Sequence, residues 1–259
     1  MCTLAIYFQV SRDFPVIIAA NRDEFLDRPA ASPMSLLEHP RVIGGKDLRA
    51  GGTWLGINEY GVIAGLLNRR VEGAANPRAR SRGLLCLDAL RCETSSDAAK
   101  FAGSQDGADY NPFNLLIASR ETAFVASNRA GRIEVAALAP GLHLVTNLDV
   151  NDFECPKISA SYGNFAELGS DPEFLRDPIE RKAALAALLA DHSTQLDPRS
   201  GRPNALCLHL EGYGTRSSSL FFIDANGKVS HFFAPGPPCK TAYVPVETAG
   251  ILHADQDSK

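Results

Sequence analysis

The stretch Met1-Cys2-Thr3-Leu4-Ala5-Ile6-Tyr7-Phe8-Gln9-Val10, followed after Ser11–Pro15 by Val16-Ile17-Ile18-Ala19-Ala20-Asn21-Arg22-Asp23-Glu24, decides how this chain is read. Two apolar runs flank a short segment with turn chemistry, which predicts a β-hairpin. Val16 to Ala20 are apolar at successive positions rather than alternate ones, the pattern of a strand covered on both faces. With a turn centred near residue 12, opposed residue numbers sum to about 24 or 25. Cys2 then lies across from Arg22 or Asp23.

That placement matters because of what Cys2 can do. Initiator methionine is clipped before a small second residue, so Met1 is expected to be removed. The α-amine left on Cys2 would titrate at about 7.7–8.0, a usable general base at neutral pH on the same residue as the nucleophile. A thiol with a pKa of about 8.5 needs only modest activation. Asp23 could hold or orient the amine, and Arg22 could lower the thiol pKa through its positive charge. Against this stands the plain alternative that Asn21-Arg22-Asp23-Glu24 merely begins a polar loop. Asn68 and Asn147 each end an apolar run, where a side-chain amide can donate to an oxyanion or serve turn chemistry.

Working outward, further strand pairs are expected at Gly52–Ile57 with Gly61–Leu67, and at Phe113–Ala118 with Thr122–Ser127. Ile133–Ala137 and Leu142–Thr146 follow, and Ser218–Ile223 pairs with Lys228–Phe233 across Asp224-Ala225-Asn226-Gly227. Helices are predicted at 82–91, at 95–103 with a cap in Ser95-Ser96-Asp97, and from Pro178 to Ala190. Antiparallel hairpins with doubly buried strands and few helices predict stacked sheets with helices outside. No repeat or low-complexity linker divides the chain, which reads as one domain over 1–259 with a frayed tail at 248–259.

Composition narrows the function classes. A hydrophobic content of 45% and a charged content of 22% are those of a globular protein with a real core. A net charge of -4 and a pI of about 5.9 argue against nucleic-acid binding. Arg69, Arg70, Arg78, Arg80 and Arg82 form a local basic run, either a solvated loop face or a subsite for an anionic substrate. No apolar run reaches the roughly 18 residues of a membrane span, and the first residues do not resemble a signal peptide, so the cytoplasm is expected. None of the six cysteines forms a CxxC pair, and no Cys/His set has zinc spacing. No metal and no cofactor is therefore expected. Cys86 and Cys207 read as small core hydrophobes, and His209 and His231 as satisfied core histidines. Gly51-Gly52-Thr53-Trp54 lacks the Lys of a phosphate loop; its glycines read as a tight turn, and Trp54 as core or pocket wall.

Met1-Cys2, Asn21-Arg22-Asp23-Glu24, Gly51-Gly52-Thr53-Trp54-Leu55-Gly56 and Tyr213-Gly214-Thr215-Arg216-Ser217-Ser218 together resemble the NRDE family, which includes the transport and Golgi organization proteins. More distantly the chain is similar to choloylglycine hydrolases and penicillin V acylases. The resemblance implies an α+β fold, the four-layer αββα N-terminal-nucleophile hydrolase sandwich with antiparallel sheets. It implies Cys2 as nucleophile, with Arg22, Asp23, Asn68 and Asn147 as catalytic residues. Arg216, within the last motif, is the candidate for a later active-site Arg or else forms an ordinary surface salt bridge, and Trp54 and Arg216 are the expected substrate-binding residues. One departure stands out: the distant enzymes space their Arg and Asp three apart, whereas Arg22 and Asp23 are adjacent. The expected activity is cleavage of a C–N amide or related acyl bond of a small molecule. The alternative is a non-enzymatic protein that binds or traffics haem or a lipid-like metabolite in the same pocket. The sequence leaves the oligomeric state open.

Overall fold

A computed structural model describes residues 2–70, 75–193, 196, 201 and 204–248. Strands β1 (Thr3–Phe8), β2 (Val16–Phe25), β3 (Ala30–Glu38), β4 (Arg41–Asp47), β5 (Leu55–Asn58) and β6 (Ile63–Asn68) come first. Helices α1 (Arg82–Ala89) and α2 (Ser95–Gly103) precede β7 (Phe113–Ala118), β8 (Ala123–Arg129), β9 (Arg132–Ala137) and β10 (Gly141–Val145). Helices α3 (Pro156–Ser170), α4 (Pro172–Arg176) and α5 (Pro178–Leu189) lead to β11 (His209–Leu210), β12 (Tyr213–Ile223), β13 (Val229–Ala234) and β14 (Val244–Val246). These elements gather into two compact units, one comprising the chain up to Arg28 with Pro140–Ala225 and Ser230–Val246, the other centred on Pro29–Ala139 with Asn226–Val229.

The first unit is a sheet in the order β10-β1-β2-β12-β13-β14, with β11 paired to β12. The hairpin predicted from the first residues is present, with Thr3 opposite Asn21 and Phe8 opposite Val16, so opposed numbers sum to 24. The tetrapeptide Asn21-Arg22-Asp23-Glu24 lies inside β2 and does not begin a loop. Alternate residues Ala5, Tyr7, Ile17, Ala19, Leu220 and Phe222 pack with Phe165, Phe174, Leu185 and Leu189 of the three helices. Leu4, Ile6 and Ile18, on the opposite face, are buried as well. Tyr7 fixes α3: its hydroxyl donates to Phe165 O at 2.7 Å, and a side chain at Gly169 would strike its ring. Each of the three helices opens on proline, whose missing N–H and fixed φ suit the first helical turn. Asp171 and Asp177 cap α4 and α5 by accepting from Glu173 N and Ile179 N.

The second unit is a seven-stranded antiparallel sheet in the order β3-β4-β5-β6-β7-β8-β9, with α1 and α2 packed on one face. Its helices fall where the sequence put them, although Thr94 rather than a serine caps α2, accepting from Asp97 N. The β5–β6 turn carries Gly61 at φ 79°, the left-handed position expected there. Strands β3 and β4 were not anticipated. Pro33 interrupts the β3 pattern, and it sits at a register shift on an edge strand, where a missing N–H is tolerated.

Candidate active site

Cys2 stands just before β1, half-buried, level with Arg22 in the register that pairs Thr3 with Asn21. The next residue of β2 reaches over the thiol with its backbone. Asp23 N donates to Cys2 Sγ at 3.3 Å, and the thiol donates to Asp23 O at 3.4 Å. A backbone N–H aimed at sulfur favours the thiolate.

The Asp23 side chain is buried and held from two directions. Thr215 Oγ1 donates to Oδ1 at 2.7 Å, and Lys157 Nζ lies 3.3 Å from Oδ2. Lys157 sits in the first turn of α3 and is 1% exposed. A cation there opposes the helix dipole and is removed from water, and the buried Asp23 carboxylate is its ion-pair partner. Tyr213 OH donates to Asp23 O at 3.3 Å.

Strand β12 brings these partners in. Thr215 faces Asp23 and Ser217 faces Arg22, so Arg216 is the extra residue of a β-bulge beside the Cys2–Asp23 contact. A bulge re-aims the side chain it inserts. Arg216 Nε is buried without a hydrogen-bond partner, a donor available to a ligand. Gly214 explains itself by close approach, since a Cβ there would lie 2.6 Å from Leu208 O. With that contact made, Thr215 Oγ1 accepts from Leu208 N at 2.9 Å while donating to Asp23.

Asn147 follows β10, whose register with β1 pairs Leu4 with Val145, so two residues further along Asn147 comes level with Cys2. It is buried, and its Oδ1 has no hydrogen-bond partner. Arg22 is buried too, with its guanidinium 3.9 Å from Glu24. Cys2, Arg22, Asp23, Asn147 and Arg216 thus share one sheet of the first unit. Asn68 and Trp54 belong to the second. Asn68 is the exposed last residue of β6, and the Trp54 ring lies on Gly45, where a Cβ would come within 2.2 Å of it. In the same unit the glycines of Gly51-Gly52 act as read: Gly51 has φ 77°, and Gly52 presses on Gly83 at the start of α1.

Burial first, and the Asp23 carboxylate second, raise the Cys2 thiol pKa above its ordinary value. The N-terminal ammonium, the Asp23 N–H and Arg22 pull the other way, and the net direction is upward. The expectation that Arg22 lowers the thiol pKa holds for the sign of its contribution and fails for the sum, because desolvation of a thiolate outweighs one neighbouring cation.

Other sequence expectations divide. The basic run is engaged within the chain: Arg69 donates to Asn114, Arg80 pairs with Asp88 and Tyr110, and Arg82 donates to Pro112 O. Cys86 is fully buried, as read. His209 is exposed on the short β11, not in a core strand. His231 is buried and stacked on Phe221 at 3.8 Å between centroids, but neither ring nitrogen has a partner. Lys157, Thr215 and Tyr213 were not singled out from the sequence. Thr215 and Tyr213 lie in the Tyr213–Ser218 motif of the family resemblance, of which only Arg216 is a sequence candidate. Lys157 follows Pro156, and Cys155-Pro156 is the start of α3.

The sequence model of the family described as Transport and Golgi organisation 2 matches residues 1–233. The chain belongs to this family. The Transport and Golgi organization protein 2 homolog of Bos taurus is 34% identical, over 89% of this chain and 91% of its own length. Among solved structures, penicillin V acylase from Agrobacterium tumefaciens superimposes with a TM-score of 0.57 at 12% identity, covering 97% of this chain and 88% of that one. A mutant conjugated bile acid hydrolase from Clostridium perfringens gives 0.53 at 12% identity, covering 98% of both chains. Family member and hydrolases therefore share one fold, the αββα sandwich of the N-terminal-nucleophile hydrolases. Among the described residues no helix is long and apolar enough to cross a membrane.

Proposed function

We propose that this chain is a cysteine N-terminal-nucleophile hydrolase that cleaves a C–N amide or related acyl bond of a small molecule. One observation carries it: Cys2 Sγ is clasped by the backbone of Asp23, while the Asp23 carboxylate is fixed by Lys157 and Thr215.

In this reading Met1 is removed and the α-amine of Cys2 takes the thiol proton. Burial and the Asp23 carboxylate disfavour the thiolate, and a base on the same residue offsets that. The thiolate attacks the carbonyl carbon, and the electron pair of the C=O bond moves to oxygen. The Asn147 amide, level with Cys2, donates to that oxyanion. Collapse expels the amine, which takes its proton from the α-ammonium. Water, deprotonated by the α-amine of Cys2, then adds to the thioester carbonyl; the C–S bond breaks, and the α-ammonium returns the proton to the Cys2 thiolate. Asp23 holds the α-amine in place, and Arg216 contacts the substrate.

The test is turnover of a panel of N-acyl amides by protein whose N-terminus is Cys2. Cys2→Ala should abolish it, and Cys2→Ser should retain little, because a hydroxyl is the weaker nucleophile at neutral pH. Unchanged turnover by Cys2→Ala would sink the assignment. If nothing is hydrolysed but Cys2→Ala weakens the binding of haem or a lipid-like metabolite, the pocket serves binding instead.

A further inference from the structure

Four side chains able to ligate a metal, from three stretches of the chain, meet at one place in the first unit. His192, Cys207, His209 and Cys239 each offer one ligand atom, and these atoms all lie within 4.8 Å of one another. We propose that they form a binding site for a thiophilic divalent cation, Zn2+ foremost, beside β11 and the Pro237–Lys240 turn.

The distances are those of a tetrahedral S2N2 sphere before it closes. With Zn–S of about 2.3 Å and Zn–N of about 2.0–2.1 Å, tetrahedral geometry puts the sulfurs about 3.8 Å apart and each sulfur about 3.6 Å from a nitrogen. Cys207 Sγ is 3.7 Å from Cys239 Sγ. His209 Nε2 is 3.8 Å from Cys207 Sγ and 3.2 Å from Cys239 Sγ. Two thiolates with two imidazoles select Zn2+ over oxygen-loving cations.

The surroundings fit as well. His192 Nδ1 lies 3.0 Å from Cys207 O. A backbone carbonyl accepting from one imidazole nitrogen assigns the proton there and leaves Nε2 as the nitrogen with a lone pair to offer, the usual outer support of a histidine ligand. The His192 and His209 rings stand 5.1 Å apart, neighbours as two ligands of one ion must be. Cys239 follows Pro237-Pro238 in a turn closed by Lys240 N and Thr241 N on Pro237 O, so its approach is fixed by backbone. Binding forms two Zn–S bonds and releases two thiol protons to solvent.

The site also touches the candidate active site through backbone. Leu208, between the ligands Cys207 and His209, exchanges hydrogen bonds with Thr215, which in turn donates to Asp23. The Asn21 amide donates to Leu206 O at 2.9 Å and Leu189 O at 2.8 Å. An ion here would clamp the segment that buttresses Asp23, a structural role separate from the chemistry.

The test uses the full chain, reduced and stripped of metal, titrated with Co2+ and then Zn2+. One Co2+ per chain should bind with thiolate-to-cobalt charge transfer and the intense d–d absorption of a tetrahedral centre, and Zn2+ should displace it. Cys239→Ser and His209→Ala alter half-buried and exposed side chains, so both should fold. Each should bind Co2+ more weakly by at least the roughly 10–100-fold that a lost outer-shell partner costs. Zn2+ should raise the melting temperature of the wild type and not of the variants. An octahedral Co2+ spectrum, binding by both variants as tight as by the wild type, or a Cys207–Cys239 disulfide in place of metal uptake would overturn the site. None of these readouts depends on hydrolysis, so the metal site and the hydrolase reading can fail separately.

Discussion

Lys157 Nζ lies 3.3 Å from Asp23 Oδ2, with both side chains removed from water. The pair joins the first turn of α3 to the strand that clasps Cys2. Breaking a buried pair by removing one partner leaves the other charge stranded, at a cost of about 3–5 kcal/mol. Lys157→Met and Asp23→Asn should each lose stability of that order in urea unfolding. The double variant should regain a large part of it. Additive losses would show that the two charges do not stabilise one another.

Thr215 carries the second hold on Asp23, accepting from Leu208 N and donating to Oδ1. Thr215→Val keeps the shape and removes both bonds, leaving a buried N–H and a carboxylate oxygen short of partners. A loss of about 1–3 kcal/mol is expected, with Thr215→Ser near wild type. Equal stability of Val and Ser variants at this position would contradict the relay.

The electrostatics around Cys2 give a signed prediction for its titration. The Asp23 carboxylate raises the thiol pKa and Arg22 lowers it. Alkylation by iodoacetamide, mapped to the Cys2 peptide across pH, should therefore show a midpoint above that of a free thiol. Asp23→Asn should move the midpoint down and Arg22→Ala should move it up. Removal of Met1 carries the ammonium onto Cys2 itself and should lower it. A midpoint that falls in Arg22→Ala would refute this picture.

His231 is held in its neutral form, its pKa lowered to about 3 by burial. Its folded value thus lies below the unfolded one of about 6.5, so the unfolded chain binds the extra proton first as pH falls. The stability contribution is present above about pH 6.5 and is lost towards about pH 3, at up to roughly 1.4 kcal/mol per unit. His231→Phe keeps the stack on Phe221 and removes two unpartnered buried nitrogens. It should raise stability at neutral pH and flatten the acid limb between about pH 6 and 4 in unfolding curves. A variant as acid-sensitive as wild type would place the acid limb elsewhere.

Local signals in the sequence were enough for the β1–β2 hairpin, because apolar runs and turn residues lie within a few positions of each other. They also put Cys2 across from Arg22 or Asp23, and the observed register selects Arg22. The same local reading could not find Lys157, which meets Asp23 across 134 residues through the packing of α3 on Tyr7. Nor could it find the four-ligand cluster, whose members at 192, 207, 209 and 239 have no motif spacing and are joined by the fold. Strand β3 was hidden by Pro33, which an edge position and a register shift accommodate. Arg216 was selected for its motif, but its bulge is a property of pairing with β2 and has no local signature.

The most direct measurement is the intact mass of the purified protein, before and after brief exposure to an N-acyl amide it turns over, followed by peptide mapping. The mass should lack Met1, and a single acyl group should appear transiently on the Cys2 peptide and be absent in Cys2→Ala. Retention of Met1 throughout, or acylation that persists in Cys2→Ala, would contradict Cys2 as an N-terminal nucleophile.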